Sequence, residues 1–250
     1  SKVWTGAMDS SWNNDSNWDP PGVPLPYDSV IIQPSPHNPS IYDFQQDVVI
    51  SALNIQVGSQ LTITDSVPRM VIKRGVEIYG TLFLRPPAST VFIVGGTWIS
   101  QPAADSGFVF STSTVYLTGS GFVTSRFYNV VFDTASSMYT SGNIKAKNNC
   151  YVYSNVSARS TDTLSIESAD PVAMLGNGRI ERGTIQRKID STSSQKYRFG
   201  DPTTTISFSP FDPVPSIISI TEYPDSSTNA VWMIIPSRLD TVYNAIITDS

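Results

Sequence analysis

Between about residues 48 and 190, apolar and polar positions alternate in short runs with a period of two. The runs include VVISALNIQV (48–57), QLTITD (60–65), RMVIKRG (69–75), GTLFLR (80–85), TVFIVGG (90–96), GTWIS (96–100), STVYLTG (113–119), YNVVFD (128–133), NIKAK (143–147), CYVYS (150–154) and TLSIES (163–168). Nearly all are too short for a helix, and the alternation predicts strands that each bury one face. Turn glycines recur between them at Gly58, Gly80, Gly119 and Gly142, with Gly95-Gly96 inside the longest gap. A repeat of about 20–25 residues carrying two or three short strands is what a β-solenoid requires, each coil burying its inward residues on the next. A sandwich would need tight hairpins, and Asn177-Gly178 is the one such signal. The predicted class is all-β, a parallel β-helix of about six coils and, at ~4.8 Å per coil, a length near 30 Å.

The flanks read differently. Residues 1–47 hold seven of the eighteen prolines and three of the five tryptophans, which predicts an irregular N-terminal cap. Residues 48–190 form the β-helix. Residues 191–250 carry longer apolar runs, SIISITEY (216–223), AVWMIIP (230–236) and TVYNAIIT (241–248), separated by Asp-Pro and Asp-Ser-Ser turns. These predict an antiparallel β unit, a truncated sandwich or a unit packed on the rod.

Composition narrows the chemistry. Asp outnumbers Glu by seventeen to four, and Ser plus Thr make 59 of 250 residues, the balance of strands and turns rather than helices. A single Cys150 excludes an intramolecular disulfide. One His and one Cys leave a zinc site short of ligands, and His37 lies in a proline-rich loop with no nucleophile elbow nearby. The net charge of −5 argues against nucleic acid and anionic membranes as partners. No apolar run approaches the ~18 residues of a membrane span.

An ordered set of residues opens the chain: Trp4-Thr5-Gly6, Trp12, Asn17-Trp18, Gly22-Val23-Pro24 and Asp28-Ser29-Val30-Ile31-Ile32. This resembles the start of secreted and cell-surface repeat proteins of Bacteroidetes- and Chlorobi-type bacteria. STVYLTGSGFVTSRFYNVVFD (113–133) resembles their coils. Leu175-Gly176-Asn177-Gly178 with Arg182, Arg187, Tyr197 and Phe199-Gly200 resembles the segment that closes their helix. The resemblance spans about 1–200. It implies a right-handed parallel β-helix in an exported, extracellular or surface protein, and it brings no catalytic residues.

Several side-chain groups are candidates for chemistry. Trp4, Trp12, Trp18 and Tyr27 could form an aromatic platform for sugar rings, or the indoles could seal the first coil. Asn13, Asp15, Asn17 and Asp19 alternate like half a calcium loop, but Trp18 and Pro24 stand where that loop needs Gly and Glu, so local Asx turns fit better. Tyr116, Tyr128, Tyr139, Tyr151 and Tyr153 are a candidate outer ladder. Arg179, Arg182, Arg187 and Lys188, with Glu167, Asp170, Glu181 and Asp190, raise a polysaccharide lyase, although no paired-carboxylate face stands out. Asp followed by Ser or Thr and then a small or branched residue recurs beyond chance. It marks Ser29, Ser66, Thr134, Thr163, Ser191 and Thr241 as candidate O-glycosylation sites, or as turn openers before strands.

Taken together, the sequence predicts a non-enzymatic, extracellular structural or adhesive module, as a stalk, adhesin or building block of a layer, sheath or filament. No cofactor or metal is expected. The expected partners are a second copy, another surface protein or a glycan, with docking through open helix ends or the C-terminal strands. A carbohydrate-binding module is the alternative, and a polysaccharide lyase a weaker one.

Overall fold

Alternating sequences of four or five residues cannot close a core alone, and here each is stacked on its counterpart one coil away. The computed structural model describes residues 1–42, 46–64, 67–101, 107–190, 196–208, 214–224, 230–236 and 245–248, over 222–224, 230–235 and 245–248 as backbone only. The chain is all-β, with 3% helix, and winds through about seven stacked parallel turns. At ~4.8 Å between strands this makes a stack roughly 34 Å long. The fold is a β-solenoid.

Each full coil has three sides. The first face runs from Lys2–Trp4 to Ser29–Ile32, then 52–55, 75–78 and Trp98–Ser100, and continues through 122–124, 138–140, Val156–Ser157 and Ile180–Glu181. The second face stacks 48–50, 70–72, Val91–Val94, Thr114–Leu117, 129–132, 149–152 and Met174–Leu175. On the third face, Ser40–Ile41, Gln60–Ile63, Thr81–Leu84 and Phe108–Val109 form one ladder. A second ladder continues that face through 125–127, 144–146, Thr163–Ile166 and Thr184–Lys188.

Register turns the period-two pattern into columns. On the second face Val48, Met70, Phe92, Val115, Val130, Cys150 and Met174 lie one above another, as do Ile50, Ile72, Val94, Leu117, Phe132 and Val152. Every one of these side chains is buried. Burying each contributes roughly 1.5–3 kcal/mol relative to exposure, so the columns are the main source of cohesion. In the middle coils the core fills with aromatic rings: Trp98 meets Phe92, Phe108 and Phe127 at centroid distances of 5.5, 4.9 and 5.7 Å.

The glycines belong to two different corners rather than one. Gly58 and Gly80 turn the chain from the first face to the third, and Gly95 and Gly119 from the second to the first. That is why the interval between Gly80 and Gly119 fits no single period. At the second corner a Cβ on Gly119 would stand 1.9 Å from the Gly95 carbonyl oxygen, and one on Gly96 1.8 Å from that of Arg74. The coils touch backbone to backbone there, and only glycine leaves room.

Two boundaries differ from the sequence expectation. The solenoid begins inside the predicted cap, because Ser29–Ile32 and Ser40–Ile41 already pair in parallel with the next coil. At the other end the second ladder of the third face continues: Ile217–Pro224 pairs antiparallel with Thr184–Lys188, and Ala230–Pro236 pairs with Ile217–Pro224 in turn. Tyr197–Phe199, Asp201–Phe208 and Ala245–Thr248 form a separate three-stranded antiparallel sheet. An antiparallel C-terminal unit is therefore present, joined to the rod by a shared sheet.

Candidate functional site

At the N-terminal end the three tryptophans are a plug. Trp4, Trp12 and Trp18 are 0%, 2% and 2% exposed, and Trp18 packs edge-on against Trp4 at 4.9 Å and Trp12 at 4.7 Å. Two of the indole N–H groups are satisfied inside: Trp4 donates to the His37 carbonyl at 2.7 Å and Trp18 to that of Trp12 at 2.9 Å. Rings so enclosed offer no face to a sugar, which removes them as a glycan platform. Tyr27, 72% exposed, stands apart from them.

The calcium-like stretch forms local turns. Asn14 accepts from the Ser16 N–H and Asp15 from the Val23 N–H. Buried Asn17 accepts from the Met8 and Asp9 N–H groups while donating to the Asp9 carboxylate and the Ser11 carbonyl. Every polar atom of that amide is used in holding the cap. Among the described residues, no group of three or more His, Cys, Asp or Glu is placed to hold a metal ion.

The arginine cluster dissolves into separate roles. Arg187 follows Phe127, Ala146 and Ile166 in an inward column and is fully buried. It donates to the carbonyls of Asp170 at 2.8 Å, Arg198 at 3.0 Å and Pro171 at 3.3 Å, and its guanidinium lies 5.3 Å from the Tyr197 ring centroid. Burial pushes it down to about 10. Arg198, also buried, donates to the carbonyls of Gly176 and Gly178. The two guanidiniums bond the carbonyls that the last coils turn inward, and so close the C-terminal end. Arg179 pairs with Asp201 at 3.5 Å, while Arg182 and Lys188 are exposed. Glu167 binds Arg126 at 3.0 Å, and Glu181 accepts from Asn155 at 3.1 Å. These residues are not gathered into one cleft.

The Asp-Ser/Thr sites also separate by environment. Ser66, Ser191 and Thr241 lie outside the described residues. Ser29 is half-buried and accepts from Arg74 at 2.9 Å; Thr163 lies half-buried within a strand. Thr134 is exposed on a turn, where the Asp133 carboxylate accepts from its backbone N–H at 2.7 Å. Buried Asp162 is held by Arg159 through two bonds of 2.9 and 3.0 Å and by Thr140 at 2.5 Å. Burial raises its carboxyl, but these hydrogen bonds outweigh that and hold it below the usual value. Cys150 sits in an inward column, its thiol pushed up to about 12 by burial, and is therefore a packing residue.

Among the rings left on the outside, one pair joins Tyr139 of the expected tyrosine ladder to Phe122, which that ladder did not include. Phe122 and Tyr139 occupy successive coils of the first face in register, 53% and 50% exposed, with centroids 6.1 Å apart. A groove of about 510 Å³ runs beside them, lined by Thr140, Ser157, Arg159, Ser160, Glu181 and Arg182. The signal was legible as an apolar residue, Phe122, at an outward position of its strand. Tyr151 and Tyr153 stack on each other at 6.4 Å, away from this pair.

No curated protein and no solved structure is a significant match to the chain. The profile of one family, a domain of unknown function designated DUF8693, matches residues 3–232. That span takes in both end plugs and every parallel coil, and the chain belongs to this family.

Proposed function

We propose that the chain is a non-enzymatic structural and adhesive module of an exported bacterial surface protein, a short rigid stalk that presents its side faces. The observation that carries this reading is the closure of both ends of the stack. At the first, Trp18–Asp19 is a two-residue edge strand whose buried Trp18 packs on the buried indoles of Trp4 and Trp12. At the other, two buried arginines and an antiparallel strand cover the last coil, and Ala230–Pro236 is the outermost described strand of that sheet. Short edges and covered ends are how sheets avoid end-to-end pairing, which favours a stalk over a filament built by stacking coils. The potentially reactive groups Cys150 and Arg187 are both consumed in the interior. Incubation with pectin, alginate and other uronates tests the non-enzymatic part: no unsaturated product is expected, and its accumulation would overturn the reading.

A second reading, carbohydrate binding, is favoured by the half-exposed Phe122 and Tyr139 beside a groove of hydroxyl and charged groups. Sugar rings stack on such faces while their hydroxyls take the polar groups. A glycan array with Tyr139→Ala tests it. Loss of a bound glycan at unchanged melting temperature supports it, and an array that stays blank with the unaltered chain rejects it.

A further inference from the structure

The lower half of the third face carries charge of the wrong sign for this protein. Outward positions on consecutive coils are Arg126, Lys145, Ser165 and Gln186 in register, and Lys147, Glu167 and Lys188 lie two residues further along their coils. Lys145, Lys147 and Lys188 are exposed and have no acidic partner among the described residues. Glu167 is taken by Arg126 at 3.0 Å. Four cations thus surround a single acid in a chain of net charge −5. Between the lysines lies a groove of about 650 Å³, lined also by Ser165, Gln186 and Glu167, the acid that Arg126 neutralises. Ser165 donates to Gln186 at 3.2 Å, so hydroxyl and amide groups line the space between the ammonium groups.

We infer that this groove binds a carboxylate-bearing polysaccharide of the uronate class. Lys145 and Lys147 sit on one coil and Lys188 two coils away, roughly 10 Å at ~4.8 Å per coil, so a ligand with repeated carboxylates meets cations on both sides of the groove. Its hydroxyls meet Ser165 and Gln186. A peptide would ordinarily add to a sheet edge, but the strands of this face are paired with their neighbours and offer side chains only. A long nucleic acid would extend beyond these few cations along a chain of net charge −5. The inference deepens the adhesive reading by naming a ligand class, and that reading is judged separately by the absence of uronate cleavage.

Isothermal titration of the full chain with an oligogalacturonate tests the assignment, alongside its methyl ester, a polyglutamate and a single-stranded DNA. Binding of the acid form is expected, weakening as salt rises, with the ester bound at least tenfold more weakly. Lys147→Gln with Lys188→Gln should weaken it about tenfold at unchanged melting temperature, and Lys73→Gln, remote from the groove, should leave it intact. No binding by the unaltered chain, equal binding of the ester, tighter binding of polyglutamate or DNA, or an unaffected double variant would each overturn the proposal.

Discussion

Replacing Arg187 with Met tests whether a buried charge closes the C-terminal end. Methionine fills a similar volume in the column below Ile166 but leaves the carbonyls of Asp170, Pro171 and Arg198 without the donor they now have. At about 2 kcal/mol per stripped carbonyl the loss is roughly 6 kcal/mol. Against it stands the desolvation that lowers the guanidinium from 12.5 to about 10, worth roughly 3.5 kcal/mol at about 1.4 kcal/mol per unit. The net expectation is a destabilisation of about 2.5 kcal/mol, or a fall of about 10 °C in melting temperature for a chain of this size. Arg187→Lys should fall almost as far, since an ammonium cannot reach carbonyls on two sides as the planar fork does. Lys188→Met, on the exposed neighbour, should change stability by less than about 0.5 kcal/mol. The assay is thermal and urea unfolding followed by circular dichroism. An Arg187→Met variant as stable as the parent, or more so, would show that desolvation outweighs the carbonyl bonds and that the end is held otherwise.

At the opposite end, Trp18→Ala should cost about 3–5 kcal/mol by emptying an indole-sized space and freeing the Trp12 carbonyl, whereas Tyr27→Ala should be neutral in the same melts. Gly96→Ala drives a Cβ into the Arg74 carbonyl and should destabilise by at least ~2 kcal/mol, seen as a lower urea midpoint. Asp9, Asp47, Asp162 and Asp201 are all lowered from the ordinary 3.8, chiefly through hydrogen bonds that outweigh any desolvation. Their contribution is therefore complete above that value and lost as pH falls through the lower folded values. Melting temperature should accordingly stay level from neutral pH to about 5 and drop below about 4, with a shallower drop in Asp162→Asn.

Much of the rod is written locally. Gln60–Ile63, Thr81–Leu84 and Thr114–Leu117 coincide with alternating runs because period-two burial needs only each strand's own residues. Ser29–Ile32 has the same alternation, yet its proline- and tryptophan-rich surroundings disguise it as part of the cap. The separate runs around 128–133 and 143–154 belong to two long bent strands, Ser120–Phe132 and Ser137–Val152, because the two strands turn their corners together, with register shifts at 123–125 and 127–129, and stay hydrogen-bonded in one parallel ladder. Arg187 was unreadable for another reason. In TIQRK the alternation points it inward, where an arginine is almost never found unless partnered, and its partners at 170, 171 and 198 are supplied only by the fold. Similarly, the groove lysines lie 41 residues apart in sequence at Lys147 and Lys188 and meet only through the stacking of coils.

The claim that both ends of the stack are closed is tested most directly by multi-angle light scattering of the unaltered chain over a wide concentration range. A constant mass of one chain, 27.3 kDa, is expected throughout. A mass that climbs with concentration, with particles lengthening along one axis under electron microscopy, would contradict it.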